Sequence, residues 1–234
     1  MTFKIELKHV SFAYEGSAPI LDRIDVSLRA GEVVGLVSAV GGGKSTFLKI
    51  CAGLIEPTSG EVIIDDKKFW NLTNKEQNEL RSQMGFDFQE GALIANMNVF
   101  GNLALPMRYH GRASEKEIIR EIDGWLERMQ IKRYRDVLPA ALSAGLKRRV
   151  SYIRAMMVEG IYYFWDEPTE GTDDEHATTL KNTLLEKKGK GIGSLVSTQN
   201  ASFLRKTADR VIALDDGKVR YDGALKDGRI PVEF

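Results

Sequence analysis

Gly41-Gly42-Gly43-Lys44-Ser45-Thr46 combines the residue types that hold a chain of phosphates. Glycines let successive backbone N–H groups curl round an anion, and a helix beginning there adds the positive end of its dipole. Lys44 would reach the β- and γ-phosphates, and the Ser45 hydroxyl would ligate Mg²⁺. The usual pattern carries a further glycine five residues before the last one, and here that position is Ser38. Far downstream, Asp166-Glu167 follows an apolar run. An aspartate at the C-terminal end of a strand can hold Mg²⁺ through water, and an adjacent glutamate can polarise an attacking water. Each feature has a bland reading, a flexible glycine turn and a solvated acidic turn. Strand, loop and helix in order, with the carboxylate pair behind them, favour nucleotide chemistry over both.

That chemistry needs elements to position it. Val33-Val34-Gly35-Leu36-Val37 reads as a buried strand entering the loop, and an apolar helix is expected over about residues 45–54. Before it, Val10, Phe12 and Tyr14 alternate with His9, Ser11 and Ala13, and Val26 and Leu28 repeat the pattern, so the first thirty residues read as strands. Pro57–Gly60 is a turn before a strand at 61–64. The middle of the chain is helical. Ser114 and Glu117 form a capping box, and Ile118, Ile119, Ile122, Trp125, Leu126 and Met129 read as one helix face. A second helix is expected after Ser143, with Leu146, Val150, Ile153 and Met157 inward. Ile161-Tyr-Tyr-Phe-Trp165 is a strand buried on both faces, as in parallel sheets. A helix from Asp173-Asp174-Glu175 to Lys187-Lys188, a strand at 195–197 and a hairpin over 211–221 complete the pattern. Strand–helix alternation at both ends of a helical middle predicts an α/β core with a helical insertion.

Composition narrows the function classes. The chain has 234 residues, with 33 Lys and Arg against 33 Asp and Glu, so its formal net charge is zero. A protein that neutralises nucleic-acid phosphates normally carries a basic excess, which disfavours DNA or RNA as partner. Cys51 is the one cysteine, so no internal disulfide can form and a reducing compartment is expected. No apolar run approaches the roughly 18 residues of a membrane span, and Met1-Thr-Phe-Lys-Ile-Glu-Leu does not read as a signal peptide. A membrane role would be exercised from the cytoplasm, through a partner.

The order of these motifs resembles the ATP-binding cassette (ABC) ATPases over essentially the whole chain. Leu142-Ser-Ala-Gly-Leu146 resembles the family signature, Asp166-Glu-Pro-Thr-Glu-Gly-Thr-Asp173 resembles the Walker B strand end running into the D-loop, and Phe88-Gln89 resembles the Q-loop. Tyr14 occupies the adenine-stacking position, whose competing reading is core packing beside Val10 and Phe12. The resemblance implies a P-loop NTPase (RecA-like) core at 1–88 and 160–234, with an N-terminal antiparallel β subdomain and a helical subdomain inserted at about 89–159. It implies ATP with Mg²⁺, nucleotide contacts from Tyr14, Ser38, Gly41, Gly42, Gly43, Lys44, Ser45 and Thr46, and metal contacts from Ser45, Gln89 and Asp166. Glu167, Gln89 and Gln199 would serve catalysis. Ser143, Ala144 and Gly145 would act in trans on ATP bound by a second cassette, and Asp173 would lie in the D-loop between the two sites, a residue that also reads as a helix N-cap.

Three positions depart from the family. Ser38 and Ala144 replace glycines, and Gln199 stands where the H-loop histidine contacts the γ-phosphate. An amide donates a hydrogen bond but carries no charge, so an active but slow ATPase is expected. The run from Phe88 to Pro106 and the Arg148-Arg149 pair are similar to cassettes of Mla- and Mce-type phospholipid transport. This narrower likeness implies a homodimer on the inner face of the cell membrane, an integral permease and an Mce-domain substrate-binding protein. The alternative is a regulatory cassette that acts on a membrane partner without transport. Soluble ABC proteins of DNA repair or translation need a coiled-coil insertion or a second cassette, for which the chain has no room.

Overall fold

The computed structural model describes residues 3–89, 91–111 and 113–225. Met1-Thr2 and Glu90, which fall within stretches read above, lie outside them. Strands β1 (Lys4–Phe12) and β2 (Leu21–Arg29) pair antiparallel, with Ile5, Leu7, Val10 and Phe12 facing Leu21, Ile24, Val26 and Leu28 in the core. Strand β3 (Val33–Ser38) is buried along its whole length and runs into the glycine loop and helix α1 (Lys44–Cys51). The helix stops short of the expected residue 54. Gly53 takes φ +64° with a Cβ position only 2.5 Å from the Phe69 ring, so the chain must turn there. Cys51, in the last turn, is fully buried, and burial pushes its thiol far above the usual range.

Strands β4 (Ser59–Ile64) and β5 (Lys67–Lys68) complete a four-stranded antiparallel sheet in the order β2-β1-β4-β5. Helix α2 (Asn74–Arg81), opened by a Thr73–Glu76 capping box, leads to β6 (Met84–Asp87). The helical insertion follows as α3 (Val99–His110), α4 (Glu115–Arg128) and α5 (Ala144–Met156). The chain then alternates through β7 (Tyr162–Asp166), α6 (Asp174–Gly189), β8 (Gly193–Ser197), α7 (Ala201–Thr207), β9 (Arg210–Asp215) and β10 (Lys218–Gly223). The second sheet has six strands in the order β10-β9-β3-β8-β7-β6, all parallel except the β10 edge.

Buried side chains pack on both faces of this sheet. One face packs Leu36 and Phe164 with Phe47 and Ile50 of α1 and the small sheet. The other packs Trp165 and Val196 with Leu103, Ile122, Val150 and Ile153 of the helical insertion. The α/β core, the antiparallel N-terminal sheet and the inserted helices are those the sequence implied. Ile119 is a correction: it is 41% exposed, because one residue turns a helix by about 100° and carries it off the face of Ile118, Ile122 and Leu126. Among the described residues no helix is long and apolar enough to cross a membrane.

Candidate active site

The large sheet brings its strand ends together. In register, Leu36 of β3 and Asp166 of β7 both lie beside Ser197 of β8, and Asp87 of β6 lies beside Trp165. Open parallel sheets bind ligands outside these carboxyl ends. The glycine loop turns back over them to open α1. Gly43 caps the helix at φ +86°, a left-handed conformation that a side chain would strain. Gly42 is required for a different reason: a Cβ there would fall 2.6 Å from the Ser38 hydroxyl. Ser38, in the place of a glycine, therefore fills the space under the loop. Its hydroxyl donates to the Ala39 carbonyl at 2.8 Å. The Lys44 ammonium points into the same space, 3.5 Å from the Ser38 hydroxyl and carbonyl oxygens.

A 660 Å³ cavity lies over this loop, lined by Gly41 to Thr46 on one side and by Gln89, Glu167, Glu170 and Gln199 on the other. Asp166 sits just beneath, 2% exposed, accepting from the Ser197 hydroxyl at 2.8 Å. The Glu167 N–H donates to that hydroxyl at 3.0 Å and to the Ser197 carbonyl at 3.1 Å. Glu167 takes φ +46°, a left-handed conformation that costs about 1–2 kcal/mol for a residue with a side chain. The turn aims its carboxylate at the cavity, 3.5 Å from the Lys44 ammonium. Hydroxyl, carboxylate and amide oxygens from Ser45, Asp166 and Gln89 are hard donors of the kind Mg²⁺ takes, few enough for phosphates to supply the rest. The donor set thus fits the metal that a bound nucleotide would bring.

Gln89 donates to the Glu170 carboxylate at 2.9 Å, which bridges the loop after β6 to the loop after β7. Gln199, exposed between Thr198 and Asn200, lines the cavity at the end of β8. Tyr14 lies outside the lining residues. The residue is 48% exposed and its ring makes a T-shaped contact with Phe12 at 4.9 Å, so it is not the core residue that the alternation permitted. Ser143 and Gly145 line a different, 380 Å³ cavity with Gly171 and Asp173, apart from Lys44. Ser143 caps α5, accepting from the Leu146 N–H at 3.3 Å, and Ala144 is the first residue of that helix. Asp173 caps α6 through the His176 N–H at 2.9 Å and pairs with Arg149 at 2.5 Å. Those two contacts hold its carboxyl below the usual range.

Sequence reasoning missed several residues that shape the site. Ser197 ties the Asp166 carboxylate and the Glu167 main chain to β8 and looked like an ordinary strand residue. Asp87 is fully buried, accepts from the Ser151 hydroxyl at 2.5 Å, and is pushed up to about 6 by burial, against the opposing charge of Arg148. Arg148 itself lies buried between the two loops. Only the Arg-Arg pair beyond the signature hinted at it.

A profile of the ABC transporter family matches residues 21–170. The methionine import ATP-binding protein MetN of Carboxydothermus hydrogenoformans is 31% identical over 95% of this chain and 67% of its own length. MetN 1 of Bacillus anthracis is 32% identical over 95% of this chain and 65% of its own length. The chain thus spans about two thirds of these relatives. Among solved structures, the dimeric post-hydrolysis state of the ATP-binding cassette MJ0796 bound to ADP and Pi superposes with a TM-score of 0.88 at 28% identity, covering 95% of this chain and 99% of that one. The ATP-binding subunit of an ABC transporter gives 0.85 at 28% identity, covering 95% and 90%. The narrower likeness to phospholipid cassettes has no counterpart among these relatives, which carry methionine import in their names. The run behind that likeness has a structural job, since Val99, Leu103 and Ala104 are core residues of α3. With its phosphate loop and Asp166-Glu167 brought to the ends of one parallel sheet, the chain belongs to the ABC transporter family as one of its ATPase cassettes.

Proposed function

We propose that the chain is the ATP-hydrolysing subunit of an ABC transporter, and that it works as a dimer of cassettes on a membrane permease. The observation that carries this reading is the meeting of Lys44 and Glu167 across one cavity, with Asp166 beneath it. Lys44 and the loop N–H groups would hold the β- and γ-phosphates, and Tyr14 would stack on the adenine. Mg²⁺ held by Ser45, Asp166 and Gln89 would neutralise phosphate charge. Glu167, fixed by Ser197, would take a proton from the attacking water at its carboxylate. Gln199 would donate one neutral hydrogen bond towards the γ-phosphate, which sets a slow turnover.

Ser143, Ala144 and Gly145 lie away from Lys44 in their own chain, so their reading as a contact to ATP held by a second copy is supported by their separation. Residues of about 89–159 would then form the helical subdomain that meets the permease. The names of the relatives favour an amino acid such as methionine as cargo over a phospholipid, and nothing supports an Mce-domain partner. Steady-state ATPase assays on the wild type and Glu167→Gln test the reading. Glu167→Gln should keep ATP binding, lose about 10²–10⁴-fold in turnover and accumulate an ATP-bound dimer. Turnover at the wild-type rate would assign water activation to another residue.

A further inference from the structure

The guanidinium of Arg148, on the second turn of α5 and 6% exposed, reaches both loops of the site at once. Its Nη1 donates to the carbonyls of Phe88 and Gln89, each at 2.7 Å. Its Nη2 donates to the carbonyl of Asp166 at 2.6 Å and to that of Glu167. The four Nη hydrogens thus go to four main-chain oxygens in two segments, and only the Nε–H is left without a partner. No other side chain has donors spread over a fork of this kind. A lysine offers three from a single nitrogen and a glutamine two.

The peptide that is held is the strained one. Glu167 keeps its left-handed backbone because both its flanking polar groups are fixed, the N–H by Ser197 and the carbonyl by Arg148. Gln89 is fixed through its carbonyl by the same guanidinium. We propose that Arg148 is a positioning residue for hydrolysis. It sets the main chain of Glu167 and Gln89 relative to each other, and so links the aim of the Glu167 carboxylate to the placement of the signature helix α5. The inference rests on the reading of Glu167 as the residue that activates water.

The test compares Arg148→Lys and Arg148→Gln with the wild type, each also made in the Glu167→Gln background. A displacement of about 1 Å at a reacting group can cost on the order of 10²-fold. Both variants should therefore lose roughly ten- to a hundredfold in kcat, while the calorimetric Kd for ATP stays within twofold, because Lys44 and its loop are untouched. In single-turnover assays on the Glu167→Gln background, Arg148→Gln should lower the residual rate several-fold less than it lowers the wild-type kcat, since the part of its effect that passes through Glu167 is already lost. A kcat within twofold of wild type in both variants would overturn the proposal, as would an equal loss in both backgrounds. If Arg148→Gln fails to fold, Arg148→Lys decides. Loss of ATP binding in Arg148→Lys too would make Arg148 a determinant of the fold and overturn the proposal. A wild type whose turnover is indifferent to Glu167→Gln would overturn the reading of Glu167, and this inference with it. That result is seen without any change at Arg148, so the two failures are told apart.

Discussion

The Lys44 ammonium stands 3.5 Å from a Glu167 carboxylate oxygen, and both side chains are largely withdrawn from solvent. The cation expected to hold a γ-phosphate and the carboxylate expected to activate water are therefore each other's partners. In the proposed reading, an arriving phosphate would compete with Glu167 for Lys44 and release the carboxylate, so that this one contact would couple binding to activation.

This exchange has a measurable consequence. Replacing Glu167 by glutamine removes the competing charge, so Glu167→Gln should bind ATP more tightly than wild type. An ion pair worth about 1 kcal/mol corresponds to roughly fivefold in Kd. Lys44→Ala should abolish measurable affinity. Calorimetry on both variants checks the pair, and an unchanged Kd in Glu167→Gln would mean that the contact does not oppose the nucleotide.

The separation of Ser143 from Lys44 predicts a trans effect. Ser143→Arg should leave ATP binding to the single chain nearly intact and prevent dimer closure. Size-exclusion chromatography of the Glu167→Gln background with ATP, with and without this change, reads the outcome. A dimer that persists would show that the signature is not at the interface.

Gln199 stands on the cavity wall as a neutral amide. Gln199→His should raise turnover, with the larger gain below the unperturbed imidazole value of about 6.5 if charge is what helps. Gln199→Ala should lower it with little change in ATP affinity. Steady-state rates across pH 6–8 distinguish these from a site rebuilt around glutamine, in which histidine would be slower than wild type.

His176 gives a stability prediction. It is 2% exposed and packs edge-on against Tyr152 at 5.3 Å. Burial, with the nearby charges of Arg149 and Arg148, lowers it to about 4. The unfolded chain takes up a proton near 6.5 and the folded one does not until near 4, so folding loses stability as pH falls between those values. The loss is about 2 kcal/mol between pH 7 and pH 5. Urea unfolding of the wild type and His176→Gln at the two pH values should show the wild type falling relative to the variant by about this amount, since the raised Asp87 and every other titrating group act alike in both. Equal changes in the two proteins would place the acid sensitivity elsewhere.

The parts of the site that were legible in the sequence are those written in consecutive residues. Gly41 to Thr46 and Asp166-Glu167 each carry strand, turn and chemistry within a few positions. Arg148 was not legible because its acceptors lie 60 and 18 positions away, and only the fold brings Phe88 and Asp166 to the same guanidinium. Helix α2 had a readable start in Thr73 and Glu76, but its first residues are polar and its buried positions are only Gln77 and Leu80, so periodicity was weak. Helix α3 carries Pro106 in its interior, which argues against a helix in sequence. The structure sets against it an Asn98 N-cap and the buried Asn102, whose amide donates to the carbonyls of Ile94, Met97 and Asn98.

Cys51 lies sealed in the last turn of α1 with its thiol held protonated. The natural chain therefore already behaves as a cysteine-free background towards thiol-reactive dyes and spin labels. A single cysteine introduced at exposed Tyr109 or Leu138 would be modified alone, and paired probes on two copies could follow the approach of one cassette to another without first rebuilding the core.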